Sequence, residues 1–217
     1  MESYNLTMEK YKNKNIEKVL KVTFELTSSK GIQNVTFNEI ASTAKIGVAS
    51  IYRYFKNKDN LISECAIYYL RNIINDIMNT VNSISFKEKT AIDEFEELLN
   101  FYIKYFEKHI DFLKFLNEFD TYFTYNKMDK NIEETYNNLY LSFYEIAQKI
   151  FDKGIIDKSF KDGLDFQTIY FTVASSLLQT CIKSAVSPLI IPIDNLITTE
   201  NKLKTIIELT ISYCKRS

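Results

Sequence analysis

Thr36-Phe-Asn-Glu-Ile-Ala-Ser-Thr-Ala-Lys-Ile-Gly-Val-Ala-Ser-Ile-Tyr-Arg-Tyr-Phe-Lys-Asn-Lys58 decides how the rest of the chain is read. Thr36 and Glu39 have the spacing of a capping box, in which a hydroxyl and a carboxylate each satisfy a backbone N–H at a helix start. Phe37, Ile40, Ala41 and Ala44 then fall on one helical face. Lys45-Ile46-Gly47 makes a turn, with Ile46 as its apolar plug and Gly47 as the next N-cap. A second helix follows from Val48 to Phe55, with Ile51 and Phe55 inward. Its other side carries small residues first (Val48, Ala49, Ser50), then Tyr52, Arg53 and Tyr54.

Two short helices with that distribution suit duplex DNA. A helix enters the major groove by its N-terminal turn, where small side chains permit close approach to base edges. Tyrosine hydroxyls and cationic side chains fix the register on phosphates. Tyr52, Tyr54 and Lys58 fit the phosphate role, and Ser50 and Arg53 the base-reading role. An isolated tyrosine at helical spacing is more often core, but here Ile51 and Phe55 already fill the inward positions.

Outward from this stretch, Ile16, Val19, Leu20, Thr23, Phe24 and Leu26 predict a first helix over 15–30. Asn15 is its candidate N-cap and Gly31 its stop. The run Ile40-Ala41-x-x-Ala44-x-Ile46, then Ile51-Tyr52-Arg53-Tyr54-Phe55-x-Asn57-Lys58-x-x-Leu61, behind a helix ending in Lys30-Gly31, resembles the DNA-binding domain of the TetR family of transcriptional regulators. The resemblance covers about residues 15–62. It implies a homodimeric regulator, usually a repressor, whose second domain binds a small ligand. By position it makes Thr36, Asn38, Gly47, Val48, Ala49, Ser50, Tyr52, Arg53, Tyr54 and Lys58 the DNA contacts. Lys45 stands where the family often has Gly, and Gly47 where it often has a Ser or Thr cap. The cap's phosphate contact would be lost here, with Lys45 as its replacement.

Charge agrees with that division. Net charge is −1 over 217 residues. Residues 1–60 hold ten Lys or Arg against six acids, so the remainder of the chain is net acidic. A basic end on an acidic body points to nucleic acid as a partner of the first segment only.

With 4 Gly and 2 Pro there is little turn chemistry for hairpins or barrels, and the fold class expected is all-α. The expected organisation is an N-terminal three-helix DNA-binding domain with a helix-turn-helix over 1–58. A larger helical ligand-binding and dimerisation domain follows over 59–217. In the second part Asp59 is a candidate cap for a long fourth helix running to Val81. Further helices are predicted over Lys87–Lys108, Ile110–Tyr122, Met128–Lys153 (stopped by Gly154), Asp165–Val186 and Thr199–Cys214, with Pro188 and Pro192 breaking the chain. Of the 31 Phe and Tyr residues, 15 lie between Phe101 and Phe151. Such crowding predicts a ring-lined interior of the kind that holds small ligands between helices. The candidates are Tyr102, Phe106, Phe115, Phe119, Tyr122, Phe123, Tyr140 and Tyr144. Glu118 and Asp120 nearby would favour an aromatic or lipophilic cation. The last two long helices are apolar on more than one side, which predicts a homodimer interface formed with their copies.

Other classes find less support. No uninterrupted apolar run reaches membrane-spanning length and the first residues are polar, so a cytoplasmic protein without a membrane partner is expected. Cys65, Cys181 and Cys214 match neither a disulfide framework nor a zinc site and read as buried thiols. The single histidine, His109, and the absence of HExxH, CxxC, GxGxxG or Walker patterns give no catalytic residue, metal site or cofactor. The expected function is a DNA-binding repressor that a small hydrophobic or aromatic effector releases from a two-fold symmetric operator. A helical ligand-binding protein or adaptor with a vestigial DNA-binding domain is the alternative.

Overall fold

The computed structural model describes residues 2–83, 89–186 and 196–216, without the side chains of 2–8, 80–83, Tyr102 and Phe106. Helices α1 (Glu2–Lys30), α2 (Phe37–Ala44), α3 (Val48–Phe55), α4 (Lys58–Ser83), α5 (Ala91–Lys108), α6 (Ile110–Tyr125), α7 (Lys130–Asp157), α8 (Phe166–Val186) and α9 (Thr199–Cys214) make up nearly all of it. A 3-10 turn, Ile32–Asn34, joins α1 to α2. Among the described residues there is no strand, only an isolated bridge between Phe160 and Lys215. Contacts group the chain into two compact units, Met1–Arg71 with Phe115–Asn137 and Asn72–Lys114 with Asn138–Ser217. The grouping places α6 and the start of α7 with the N-terminal helices, whereas the sequence division at 58/59 takes chain order alone.

In the first unit α1 begins at Glu2, not at Asn15. Residues 2–14 hold no Gly or Pro to interrupt a helix, and residues 9–14 are solvent-exposed, so α1 propagates through them without packing. Its end is as expected: Gly31 takes φ 79°, and its N–H donates to Thr27 O at 2.8 Å. Thr36 caps α2, its Oγ1 accepting the Glu39 N–H at 3.2 Å. The second half of the capping box is replaced, because the Glu39 carboxylate pairs with Lys30. Phe37, Ile40, Ala41, Ala44, Ile51 and Phe55 are buried and Ile46 is half-buried. Val19 and Leu20 of α1 and Leu61, Ile62 and Cys65 of α4 extend this core.

The cap of α4 is Asn57 rather than Asp59. Asn57 Oδ1 accepts the Asn60 N–H at 2.8 Å, while Asp59 Oδ1 accepts the Tyr122 hydroxyl of α6 at 2.5 Å. One turn earlier on α6, Glu118 Oε2 accepts the Ile32 N–H at 3.4 Å. Glu118 and Tyr122 lie four apart on one face of α6, which docks on the α1–α2 connection and the first turn of α4.

In the second unit α5 starts at Ala91, its cap in sequence Thr90; Lys87 lies outside the described residues. Thr90 makes no side-chain cap bond. The orphan N–H groups of Ala91 and Ile92 donate instead to Asp157 Oδ2 at 2.8 Å and Ser159 Oγ at 3.2 Å, just past α7. Lys153 pairs with the buried Glu94 beside them. Helix α7 runs to Asp157, so Gly154 does not stop it. A Cβ at Gly154 would lie 2.1 Å from the Phe160 ring, and the glycine is there because the chain after α7 folds back against it. Phe160 stacks edge-on with Phe151 and Phe166, and its neighbour Lys161 donates its N–H to Cys214 O at 2.9 Å, fastening α9.

Helix α8 buries one stripe, Phe166, Tyr170, Val173, Leu177, Cys181 and Ile182, and leaves Phe171 exposed. Helix α9 buries Leu203, Ile207, Thr210 and Cys214 while Leu209 and Tyr213 are exposed. Pro188 and Pro192 lie outside the described residues. The three cysteines are buried and in no disulfide, and burial pushes Cys181 up to about 12 and Cys214 up to about 11. No helix among the described residues is long and apolar enough to cross a membrane.

Candidate nucleic-acid interface

The outward side of α2, the turn and α3 is built by the residues that face inward. With Ile51 and Phe55 in the core, helical spacing turns Ala49, Tyr52 and Arg53 to solvent, and all three are exposed. Val48 and Ser50 at the start of α3 are half-buried. Tyr52 is 54% exposed, yet its ring is not free to swing, because it packs on Phe37 of α2 with centroids 4.6 Å apart. The Arg53 guanidinium lies 5.5 Å from the centroid of the half-buried Tyr54 ring.

The turn is set by Lys45, which takes the left-handed conformation, φ 53° and ψ 45°. An L-residue there costs on the order of 1 kcal/mol, which explains why glycine suits the position; this chain carries an exposed cation instead. Gly47 is the N-cap of α3 in extended backbone and brings no side-chain acceptor to the first turn. Thr36 and Asn38 are exposed at the start of α2, with the Thr36 oxygen already accepting the cap bond.

Lys58 is placed differently from the other candidates. It is half-buried at the first position of α4, and its ammonium donates to Gln33 O at 3.2 Å. Desolvation pushes its basicity below the ordinary lysine value, partly offset by Asp59. The ammonium therefore holds the loop after α1, a long-range contact that local spacing does not reveal.

The ring candidates divide between the two units. In the first, Phe115, Phe119 and Tyr122 are buried and Phe123 is half-buried. Phe119 meets Phe123 at 4.7 Å and Tyr136 at 5.2 Å. Glu118 is engaged with Ile32, as described, and Asp120 is exposed. In the second, Tyr144 stacks on Phe171 at 5.2 Å and meets Tyr170 at 5.4 Å, and its hydroxyl donates to Gln148 Oε1 at 2.6 Å. Tyr140 is half-buried, and the side chains of Tyr102 and Phe106 lie outside those described. His109 ends α5 with its ring 4.9 Å from that of Tyr105, and burial pushes its imidazole below the usual value. Among the described residues no group of His, Cys, Asp and Glu could hold a metal.

Two short helices crossing at a tight turn, with the second presenting a rigid polar face, define the helix-turn-helix class. Residues 19–65 match the family model described as bacterial regulatory proteins, tetR family. That segment is therefore similar to the DNA-binding domain of the TetR family of transcriptional regulators. The uncharacterized HTH-type transcriptional regulator YerO of Bacillus subtilis is 26% identical over 104 residues, a match spanning 48% of this chain and 35% of that protein. Among solved structures, a protein from Saccharomonospora viridis in complex with choline aligns with TM-score 0.73 and 16% identity, over 94% of this chain and all of that one. FadR of Bacillus subtilis in complex with stearoyl-CoA aligns with TM-score 0.67 and 16% identity, over 91% of this chain and 98% of that one. A TetR regulator from Haloarcula marismortui gives 0.66 and 18%, over 93% and 96%. At these identities the three establish the same fold.

Proposed function

We propose that the protein is a homodimeric repressor that binds a two-fold symmetric DNA operator and is released from it by a small apolar or aromatic effector. The observation that carries the reading is the exposed face of α3, Ala49, Tyr52 and Arg53, held rigid by the buried Ile51 and Phe55 behind it. Ser50 and Arg53 read base edges, while Tyr52 and Tyr54 bond phosphates together with Thr36, Asn38, Lys45 and the backbone at Gly47 and Val48. Lys58 contributes charge from its half-buried position.

The dimer is formed by α8 and α9, which pack together and leave Phe171, Leu209 and Tyr213 exposed on their other sides. The effector site is built from the aromatic residues of the second unit around Tyr140 and Tyr144, where the Tyr144 ring meets those of Phe166 and Tyr170. Choline and stearoyl-CoA, bound by two proteins of this fold, supply the two effector classes to compare, a quaternary ammonium and an acyl chain. The ring faces around Tyr144 support the first and their apolar area the second.

Selection from a randomised duplex library, repeated with choline, a lipophilic quaternary ammonium and an acyl-CoA, tests the whole reading. Two inverted half-sites should emerge, with affinity falling steeply as salt rises and one effector class lowering recovery. Tight effector binding with no salt-dependent duplex affinity would instead establish the alternative, a ligand-binding protein whose helix-turn-helix is vestigial.

A further inference from the structure

The connection from α3 to α4 is only two residues long, and Lys56 stands at its apex. Lys56 has φ 65° and ψ −53°, and the Asn57 N–H donates to Phe55 O at 2.7 Å, two residues back. That is a γ-turn of the rare, strained hand, which glycine enters freely and an L side chain does not. Lys45 and Lys158 also have positive φ. Lys45, though, lies in the ordinary left-handed basin, which is less strained than the backbone of Lys56.

Position adds a second observation. Lys56 directly follows the last residue of α3 and is exposed, as are Ala49, Tyr52 and Arg53 on the helix itself. Lys56 therefore places an exposed cation immediately after the helix whose outward face carries Tyr52 and Arg53. A third observation concerns the competing cations. In the same unit Lys21 pairs with Glu17 and Lys30 with Glu39, and the Lys58 ammonium is turned to the Gln33 carbonyl. At the joint between α3 and α4, Lys56 is the exposed cation.

We infer that Lys56 is the phosphate-binding cation at the α3–α4 joint, and that Lys58 beside it acts mainly as a fastener of the α1–α2 loop. Backbone strain persists where the surroundings over-determine it and function uses the side chain. A lysine kept at a glycine-like turn, directly after the helix that meets the duplex, satisfies both conditions. The partner is a backbone phosphate of the duplex read by α3, so this inference rests on the DNA-binding reading and names one more contact within it.

The test is a salt titration of the full-length protein on a mixed-sequence duplex, with Lys56→Gln, Lys56→Gly, Lys56→Arg and Lys58→Gln. Lys56→Gln and Lys56→Gly should each weaken binding by roughly fivefold on every sequence and reduce the log–log salt slope by about 0.9, the share of one phosphate contact. Lys56→Arg should keep the slope. Lys56→Gly should also raise the melting temperature, since it relieves the turn, so loss of fold cannot account for its loss of affinity. Lys58→Gln should lower the melting temperature and leave the slope within a few tenths of wild type. A wild-type slope in Lys56→Gln, or a loss of about 0.9 in Lys58→Gln alone, overturns the inference while leaving DNA binding intact. Wild-type protein with no salt-dependent affinity overturns the proposed function itself.

Discussion

Gly47 opens α3 and Gly154 lies inside α7, and the two glycines answer to different forces. Around Gly47 nothing lies within 4 Å of where a Cβ would sit, and its backbone is extended with φ −61°. Any small residue could stand there. At Gly154 a Cβ would meet the Phe160 ring at 2.1 Å and Ala91 Cβ at 3.2 Å. The first position is governed by its own few neighbours in sequence, the second by a chain that returns from six residues away and by a helix more than sixty residues earlier. In the helix-turn-helix local rules coincide with the fold; at the α7–α8 corner tertiary packing overrides them.

Gly154→Ala breaks the contrast most directly. In an ordinary helix interior this change stabilises by roughly 0.5–1 kcal/mol, because alanine has less backbone freedom to lose. Here overpacking against Phe160 should reverse the sign and destabilise by about 1–3 kcal/mol, read as a lower urea midpoint. In a Phe160→Leu background, where the ring is gone, the alanine should cost less than in wild type. A gain in stability from Gly154→Ala alone would mean that the corner obeys helix propensity after all.

The same contrast explains how much could be read before the structure. Thr36, the inward Ile40, Ile51 and Phe55, and both ends of α2 and α3 fall where the sequence predicts, since the cap, the turn and the helical period are all set by neighbouring residues. The exposed face of α3 was legible for that reason. What escaped was decided at a distance. Asp59, a good cap by type, accepts a bond from Tyr122 sixty-three residues on, leaving the cap to Asn57. Lys58, basic and in register, is turned to Gln33. Glycine reads as a helix stop, and only the return of Phe160 shows Gly154 to be a packing residue. The polar stretch before Asn15 hides the start of α1, because a solvated helix has no apolar period to display.

Asp157 gives the α7–α8 corner a pH signature. Partial burial opposes its ionisation, but hydrogen bonds from the Ser159 hydroxyl and from the Ala91 and Ser159 N–H groups, with Lys153 nearby, outweigh this and hold its carboxyl below the usual range. A lowered folded pKa means that the stabilisation is complete above the ordinary aspartate value and is lost as pH falls through the lowered one. Asp157→Ala should therefore cost about 1 kcal/mol at neutral pH, the usual worth of a helix cap. The gap between variant and wild type should close on acidification below the ordinary aspartate range. Chemical denaturation across that range checks it, and a gap that persists unchanged at the acid end would show that the carboxylate charge does not hold the start of α5.

Gly47→Ser is the smallest effect and sharpens the local side of the comparison. The N-cap backbone is already in the extended region that a serine cap needs, and there is open space for its side chain. The Ser50 N–H, which now bonds Gly47 O at 2.9 Å, or the Ala49 N–H would gain a hydroxyl acceptor. Stability should rise by a few tenths of a kcal/mol, because glycine is already a tolerable cap and only the added hydrogen bond distinguishes the two. The consequence for function follows from where the residue stands. A hydroxyl at the first turn of α3 lies beside the exposed residues proposed to meet DNA, so under that proposal a stabilised variant should also bind duplex DNA slightly more tightly, with no change in sequence preference. If stability rises while affinity falls, the bare backbone of Gly47 is itself the surface that approaches the phosphate, and the glycine is retained for closeness.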